Sequence, residues 1–135
     1  QGIASIQGVL DFLHELRRRR IPHAVGSSAP RLNIEAGVKA LCLEHAFAAI
    51  IAGEDVTRGK PARDIFLKAA AAMGLAPEQC VVFEDAPAGV AAAKAAGMRV
   101  VGILSTHEAA ALSGADRLAK DFTEIDLDEL MAWMS

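Results

Sequence analysis

Apolar residues in this chain switch between two spacings from one end to the other, the 3.6-residue recurrence of helices and the short unbroken runs of buried strands. Val9, Leu10, Leu13 and Leu16 predict a helix over about residues 6–19, followed by a strand at Ile21–Val25 and a loop from Gly26 to Pro30. A helix near Leu32–Leu41 and a short strand at Ala49–Ala52 come next, then a polar loop from Gly53 to Lys60. Ile65, Phe66, Ala69 and Met73 share one face of a helix spanning Ala62–Met73, which Gly74 stops, and Cys80–Glu84 reads as a strand. The alanine-rich stretch Pro87–Ala96 is a helix ended by Gly97, and Arg99–Ile103 is a strand. A helix near Glu108–Leu112, a weak strand at Arg117–Ala119 and a terminal helix over Leu127–Met134 complete the series. Helices alternating with five strands, with no low-complexity linker or repeat, predict one α/β domain over residues 1–135: a Rossmann-like, doubly wound parallel sheet.

Composition narrows the function classes. With 53% apolar residues the chain has enough material for one core. A formal charge of −3, no Tyr, one Trp and five Phe argue against a nucleic-acid partner. The basic run Arg17–Arg20 closes a helical pattern, so it reads as cations complementing a helix C-terminus. Cys42 and Cys80 are far apart and His14, His23, His45 and His107 are scattered, with no metal-ligand spacing among them. The expectation is a reduced, cytoplasmic protein without a membrane partner, since no leader and no apolar run of about 18 residues occurs.

Three places carry chemistry. Ser27 and Ser28, in Gly26-Ser27-Ser28-Ala29-Pro30, sit between a strand end and a helix start, where hydroxyls and free N–H groups can cradle phosphate. The same residues are also ordinary helix starters. Lys60, in Gly59-Lys60-Pro61, is either a solvated loop lysine or a cation held at fixed height at the start of a helix. Glu84 and Asp85 end the apolar run Val81-Val82-Phe83, and two carboxylates there either cap the next helix or bind a divalent cation. All three places converge on the carboxyl edge of the sheet, where open α/β sheets bind ligands.

In that order, Ser27, Lys60 and Glu84-Asp85 resemble three of the four motifs of the haloacid dehalogenase-like phosphohydrolase superfamily. The likeness is to its branch of beta-phosphoglucomutase and small sugar-phosphate and phosphoglycolate phosphatases. It runs from the Gly8-Val9 helix start through Gly53-Glu54-Asp55-Val56-Thr57-Arg58-Gly59-Lys60-Pro61 to Val101-Gly102-Ile103. The resemblance implies a small phosphorylated metabolite as substrate and Mg2+ as cofactor. It implies that Ser27 donates to the phosphate, Lys60 balances its charge, Asp85 ligates the metal and Glu84 helps hold it through water. Two departures stand out, Arg20 where the family usually has Gly and Arg63 where it usually has Pro.

The family's first motif, an apolar strand ending in Asp-x-Asp-Gly that supplies the nucleophile, has no counterpart here. Asp126-Leu127-Asp128 is a decoy: it follows no apolar strand, lacks the Gly, and Asp126 with Glu129 reads as a capping box. In the family that strand lies between the strand ending at Ser27 and the strand ending at Glu84, so both are expected to be edges here. The family's cap is absent as well. The expectation is therefore the C-terminal portion of such a core, inactive by itself, whose sheet is completed by a preceding segment or by a strand-swapped dimer. The rival is a noncatalytic phosphate-binding or interaction module that has lost its nucleophile. A dinucleotide-binding domain would need Gly-x-Gly-x-x-Gly, which does not occur.

Overall fold

The computed structural model describes residues 6–105 and 107–135. The helices are α1 (Val9–Arg18), α2 (Arg31–Ala40), α3 (Asp64–Ala72), α4 (Pro87–Ala95) and α5 (Leu127–Met134). Interleaved with them are strands β1 (Ala24–Gly26), β2 (Ala49–Ile51), β3 (Val81–Glu84), β4 (Arg99–Ile103) and β5 (Arg117–Ala119). The alternation read from the apolar periodicity is therefore present, with local shifts that have local causes. Ile21 is not the start of β1, because its N–H turns back to the Leu16 carbonyl at 2.9 Å and terminates α1. Helix α3 starts at Asp64 rather than Ala62, after a turn in which the Ala62 N–H reaches the Gly59 carbonyl and the Lys60–Pro61 peptide is cis. The helix expected near Glu108–Leu112 is a 3-10 turn, Ala109–Leu112. Four residues with Leu112 as the one buried anchor are too few to offset the cost of nucleating an α-helix.

Every strand pairing is parallel, and the pairings fall into two groups. Strand β1 pairs with β2, setting Val25 opposite Ile50. Strand β4 lies between β3 and β5, with Phe83 opposite Val101 and Val101 opposite Arg117. Among the described residues β1 and β3 each pair on one side, so the two strands that carry the candidate site are edges, as the sequence led us to expect.

Two apolar layers cover opposite faces, as a doubly wound sheet requires. Alternation along β4 divides them: Val100 packs with Ile65, Phe66, Val90, Ala92 and Ala93 from α3 and α4, while Val101 and Ile103 pack with Phe12, Leu16, Leu127 and Leu130 from α1 and α5. Strand β3 divides the same way, Val82 toward α3 and α4, Val81 and Phe83 toward α1. Rings of Phe12, Phe83 and Phe122 meet at centroid distances of 5.2 and 5.3 Å and pin α1 against β3. Ile65 and Ile103 are fully buried, one in each layer.

Arg20 ends α1 in the left-handed region at φ 57, with its N–H on the Arg17 carbonyl at 3.1 Å. A β-carbon is disfavoured there, so Arg20→Gly is expected to stabilise the chain by about 1 kcal/mol. A higher urea midpoint at unchanged slope is the expected reading, and an unchanged or lower midpoint would refute it. Arg63, by contrast, precedes α3 at φ −73 and carries no such strain.

Acid sensitivity follows from the carboxylates. Hydrogen bonds from Arg18 and then Arg19 lower Glu15 to about 2. Burial pushes Asp116 up, but Lys94 at 2.9 Å and the Val100 N–H at 2.8 Å outweigh it and hold the carboxyl below its ordinary value. Folding favours the charged forms, so their contribution is complete at neutral pH and is lost as pH falls through the lowered values. The melting temperature is expected to be flat above about pH 5 and to fall below about pH 4. Asp116→Asn should make that acid fall shallower; an equally steep fall would exclude Asp116 as a cause.

Candidate active site

Lys60 is the centre of the site. Its Nζ donates to Glu84 Oε2 at 2.8 Å and to the Gly26 carbonyl at 3.2 Å, and it stands 4.9 Å from the centroid of the Phe66 ring. One ammonium therefore ties the carboxyl end of β1 to the carboxyl end of β3. Its side chain is 14% exposed and that of Glu84 10%, which places the ion pair out of bulk water. Of the two readings open for Lys60, the solvated loop lysine is excluded. Phe66, seen in the sequence only as part of an apolar helix face, also supplies the ring beside the ammonium.

Glu84 and Asp85 are adjacent in sequence and take different roles. Glu84 points into the α3–α4 layer, its Oε2 on Lys60 and its Oε1 accepting from the Asp85 N–H at 3.2 Å. The Asp85 side chain lies outside that buried pair, with Ser105 Oγ donating to its Oδ2 at 3.4 Å. The His107 Nδ1 donates to the Asp85 carbonyl at 3.0 Å. Ser105 and His107 were not singled out in the sequence. The signal that could have found them is strand order: they follow β4, which lies beside β3. Among the described residues no three His, Cys, Asp or Glu side chains gather around one point. The donors present are the hard carboxylate oxygens of Asp85 and Glu84, which suit Mg2+, an ion that keeps several waters and takes one or two carboxylates beside a phosphate.

The serine loop lies at the end of β1. The Ser27 N–H is bonded to the Ile51 carbonyl at 3.0 Å, and Ser27 Oγ accepts from the Ala29 N–H at 3.1 Å, so the hydroxyl caps its own turn and keeps its proton to donate. Ser28 is exposed beside it. The loop is backed by Gly53, whose N–H reaches the Ala29 carbonyl at 3.0 Å; a β-carbon on Gly53 would lie 2.5 Å from the Ser28 carbonyl oxygen. The N-terminus of α2 is partly taken. Glu54 Oε1 accepts from the Arg31 N–H at 2.8 Å, and the Arg31 guanidinium bonds Asp55 and the Ile50 carbonyl. The N–H of Ala52, and then Arg31, hold the Asp55 carboxyl below its ordinary value against the opposing effect of burial. The first N–H of α2 is therefore occupied, which leaves the Ser27 and Ser28 hydroxyls as the side-chain donors of this loop. Ser27, Lys60, Glu84 and Asp85 are thus gathered at one end of the two half-sheets. Asp126 is remote in role: its Oδ1 accepts from the N–H groups of Asp128 and Glu129 and caps α5. The other half of the expected capping box does not form, because the Glu129 carboxylate turns to the Arg117 guanidinium instead of back to the Asp126 N–H.

This chain is similar to known sequences and structures. A family model described as haloacid dehalogenase-like hydrolase matches residues 1–103. The chain is 41% identical over 121 residues to validoxylamine A 7'-phosphate phosphatase of Streptomyces hygroscopicus subsp. limoneus, covering 90% of this chain and 57% of that protein. It is 48% identical over 95 residues to fructose-1-phosphate phosphatase YqaB of Escherichia coli, covering 70% of this chain and 50% of that protein. Among solved structures, HAD hydrolase, family IA, variant 3 from Entamoeba histolytica superposes with a TM-score of 0.86 at 29% identity, over 96% of this chain and 60% of that one. The beta-phosphoglucomutase of Clostridium difficile has a TM-score of 0.85 at 22% identity over 96% of this chain and 56% of that one, a likeness of fold. The chain spans about half to three fifths of the length of these relatives. With a family model over most of its length and the lysine, the serine and the acidic pair brought to one sheet edge, this chain belongs to the haloacid dehalogenase-like hydrolases.

Proposed function

We propose that this chain is the C-terminal core portion of a magnesium-dependent phosphatase or phosphomutase acting on a small phosphorylated metabolite of the sugar-phosphate or phosphoglycolate type. The observation that carries the reading is Lys60, a cation desolvated and fixed at 2.8 Å from Glu84 beside the Ser27 loop. In phosphoryl transfer, catalysis is mostly positioning and charge stabilisation, and a pre-oriented ammonium supplies both without reorganising during the reaction. Ser27 and Ser28 donate to the phosphoryl oxygens, Lys60 offsets their charge, and Glu84 keeps Lys60 aimed at them. Asp85 would hold the magnesium ion, with Glu84 helping to hold it, and the ion would neutralise a second share of the phosphate charge.

The attacking carboxylate, in this reading, arrives on a strand that enters between β1 and β3. That strand belongs to a preceding segment or to a second copy of the chain, and without it the chain turns nothing over. A noncatalytic phosphate-binding module is the alternative; what favours it is that, among the described residues, β1 and β3 each pair on one side only, with no further strand carrying a carboxylate between them.

The test follows backbone amide shifts by NMR as orthophosphate and Mg2+ are added, alongside phosphate release from p-nitrophenyl phosphate. Phosphate should shift residues around Ser27 and Lys60, and Lys60→Met should weaken its binding about tenfold or more. Mg2+ should shift residues around Asp85 and lose its effect in Asp85→Asn. Turnover that appears only when a preceding segment is added back supports the enzyme, and binding that never gains turnover supports the module. No shift at either place, or turnover that survives both substitutions, would exclude this site.

A further inference from the structure

Gly89 stands out in α4, where Ala88, Ala91, Ala92, Ala93 and Ala95 surround it and alanine is the better helix former. It is buried, and a β-carbon built on it would lie 2.0 Å from Glu84 Cδ and 2.2 Å from both Cγ and Oε2. The contact is therefore with the carboxylate itself rather than with a neighbouring loop. Helix α4 cannot back away to make room, because Val90, Ala92 and Ala93 are 4% exposed or less and pack in the layer that includes Val100. Nor can the carboxylate turn aside without loss, since one oxygen holds Lys60 and the other the Asp85 N–H. The space left by the missing side chain is the space that Glu84 occupies.

We propose that Gly89 is a positioning residue for the active site: having no side chain, it lets the Glu84 carboxylate sit at the depth where it fixes the Lys60 ammonium. Any larger residue at 89 displaces Glu84, breaks the bond to Lys60 and frees the ammonium. The proposal rests on the function proposed above only for what Lys60 does to substrate; the geometry of the three residues stands apart from it.

The test measures the acetylation rate of each lysine of the chain by N-hydroxysuccinimidyl acetate and mass spectrometry. Lys60 should react more slowly than the exposed Lys39 and Lys120. Gly89→Ala should raise the Lys60 rate about tenfold, the scale set by losing a hydrogen bond between charged groups. Lys94, on the same helix and paired with Asp116 at 2.9 Å, should keep its rate, which separates displacement of Glu84 from unravelling of α4. Glu84→Gln should release Lys60 to a similar extent with Gly89 in place. In a Glu84→Ala background the space is open, so adding Gly89→Ala should leave the Lys60 rate unchanged and raise the melting temperature, whereas the same change beside Glu84 should lower it. An unchanged Lys60 rate in Gly89→Ala, a Lys94 rate that rises in step, or an equal loss of melting temperature in both backgrounds would overturn the proposal. A chain that binds no phosphate yet shows the expected pattern would keep the positioning role of Gly89 and lose only the reading of Lys60 as a phosphate cation.

Discussion

A buried ion pair between Lys60 and Glu84 is the constraint on which the site depends. Each partner alone would be costly out of water, and removing one side of such a pair typically costs about 3–5 kcal/mol because the other is left uncompensated. Together, with the Gly26 carbonyl and the Phe66 ring, they close a circuit that crosses from β1 to β3. No backbone ladder joins those strands among the described residues. What links the two half-sheets at this end is the lysine, and what links them below it is the packing of α3 on α4 through Ile65, Ala69, Ala92 and Ala93.

Charge is allotted unequally to the two carboxylates at the end of β3. Strand alternation turns Glu84 into the layer under α3 and α4, and the next residue, past the strand end, is left at the mouth. Glu84 is bonded inside the protein, to Lys60 and to the Asp85 N–H, whereas the half-buried Asp85 accepts from Ser105 Oγ on its side chain and from His107 on its carbonyl. The serine loop is held with equal care. Its turn is tied by Ser27 itself, backed by Gly53 where nothing larger fits, and its following helix is clamped by Glu54 and Asp55. A loop fixed from three sides presents its hydroxyls in one place.

Much of this was legible in the chain itself, for reasons of local physics. The five strands announce themselves because parallel strands covered on both faces must be apolar runs, and the helices between them because one face must be buried. Asp126 reads as a helix cap because it precedes the apolar run of α5, although the Glu129 half of the expected box goes to Arg117, and Arg20 reads as a strained terminator because it follows the last turn of α1. The serine, the lysine and the acidic pair were legible as a set because each sits at a strand end or a helix entry. The sequence by itself therefore determined the fold class and the order of elements, and it pointed to Ser27, Lys60 and Glu84-Asp85 as candidates at one sheet edge.

Tertiary structure alone decided how those residues divide the work. Ser27 was ambiguous between cap and ligand because both uses need the same hydroxyl, and only the fold shows its oxygen capping the turn from the Ala29 N–H. Lys60 was ambiguous between solvent and site because burial of a loop lysine depends on what another strand brings to it, here a carboxylate from 24 residues away. Gly89, in an alanine-rich helix, reads as close packing of that helix on the sheet, and nothing local says against which side chain. Ser105 and His107 were invisible for a similar reason: their nearness to Asp85 is set by strand order in the sheet. Sequence spacing fixes what is near along the chain; which side chain meets which across the sheet is fixed by packing, because that is where the long-range distances are chosen.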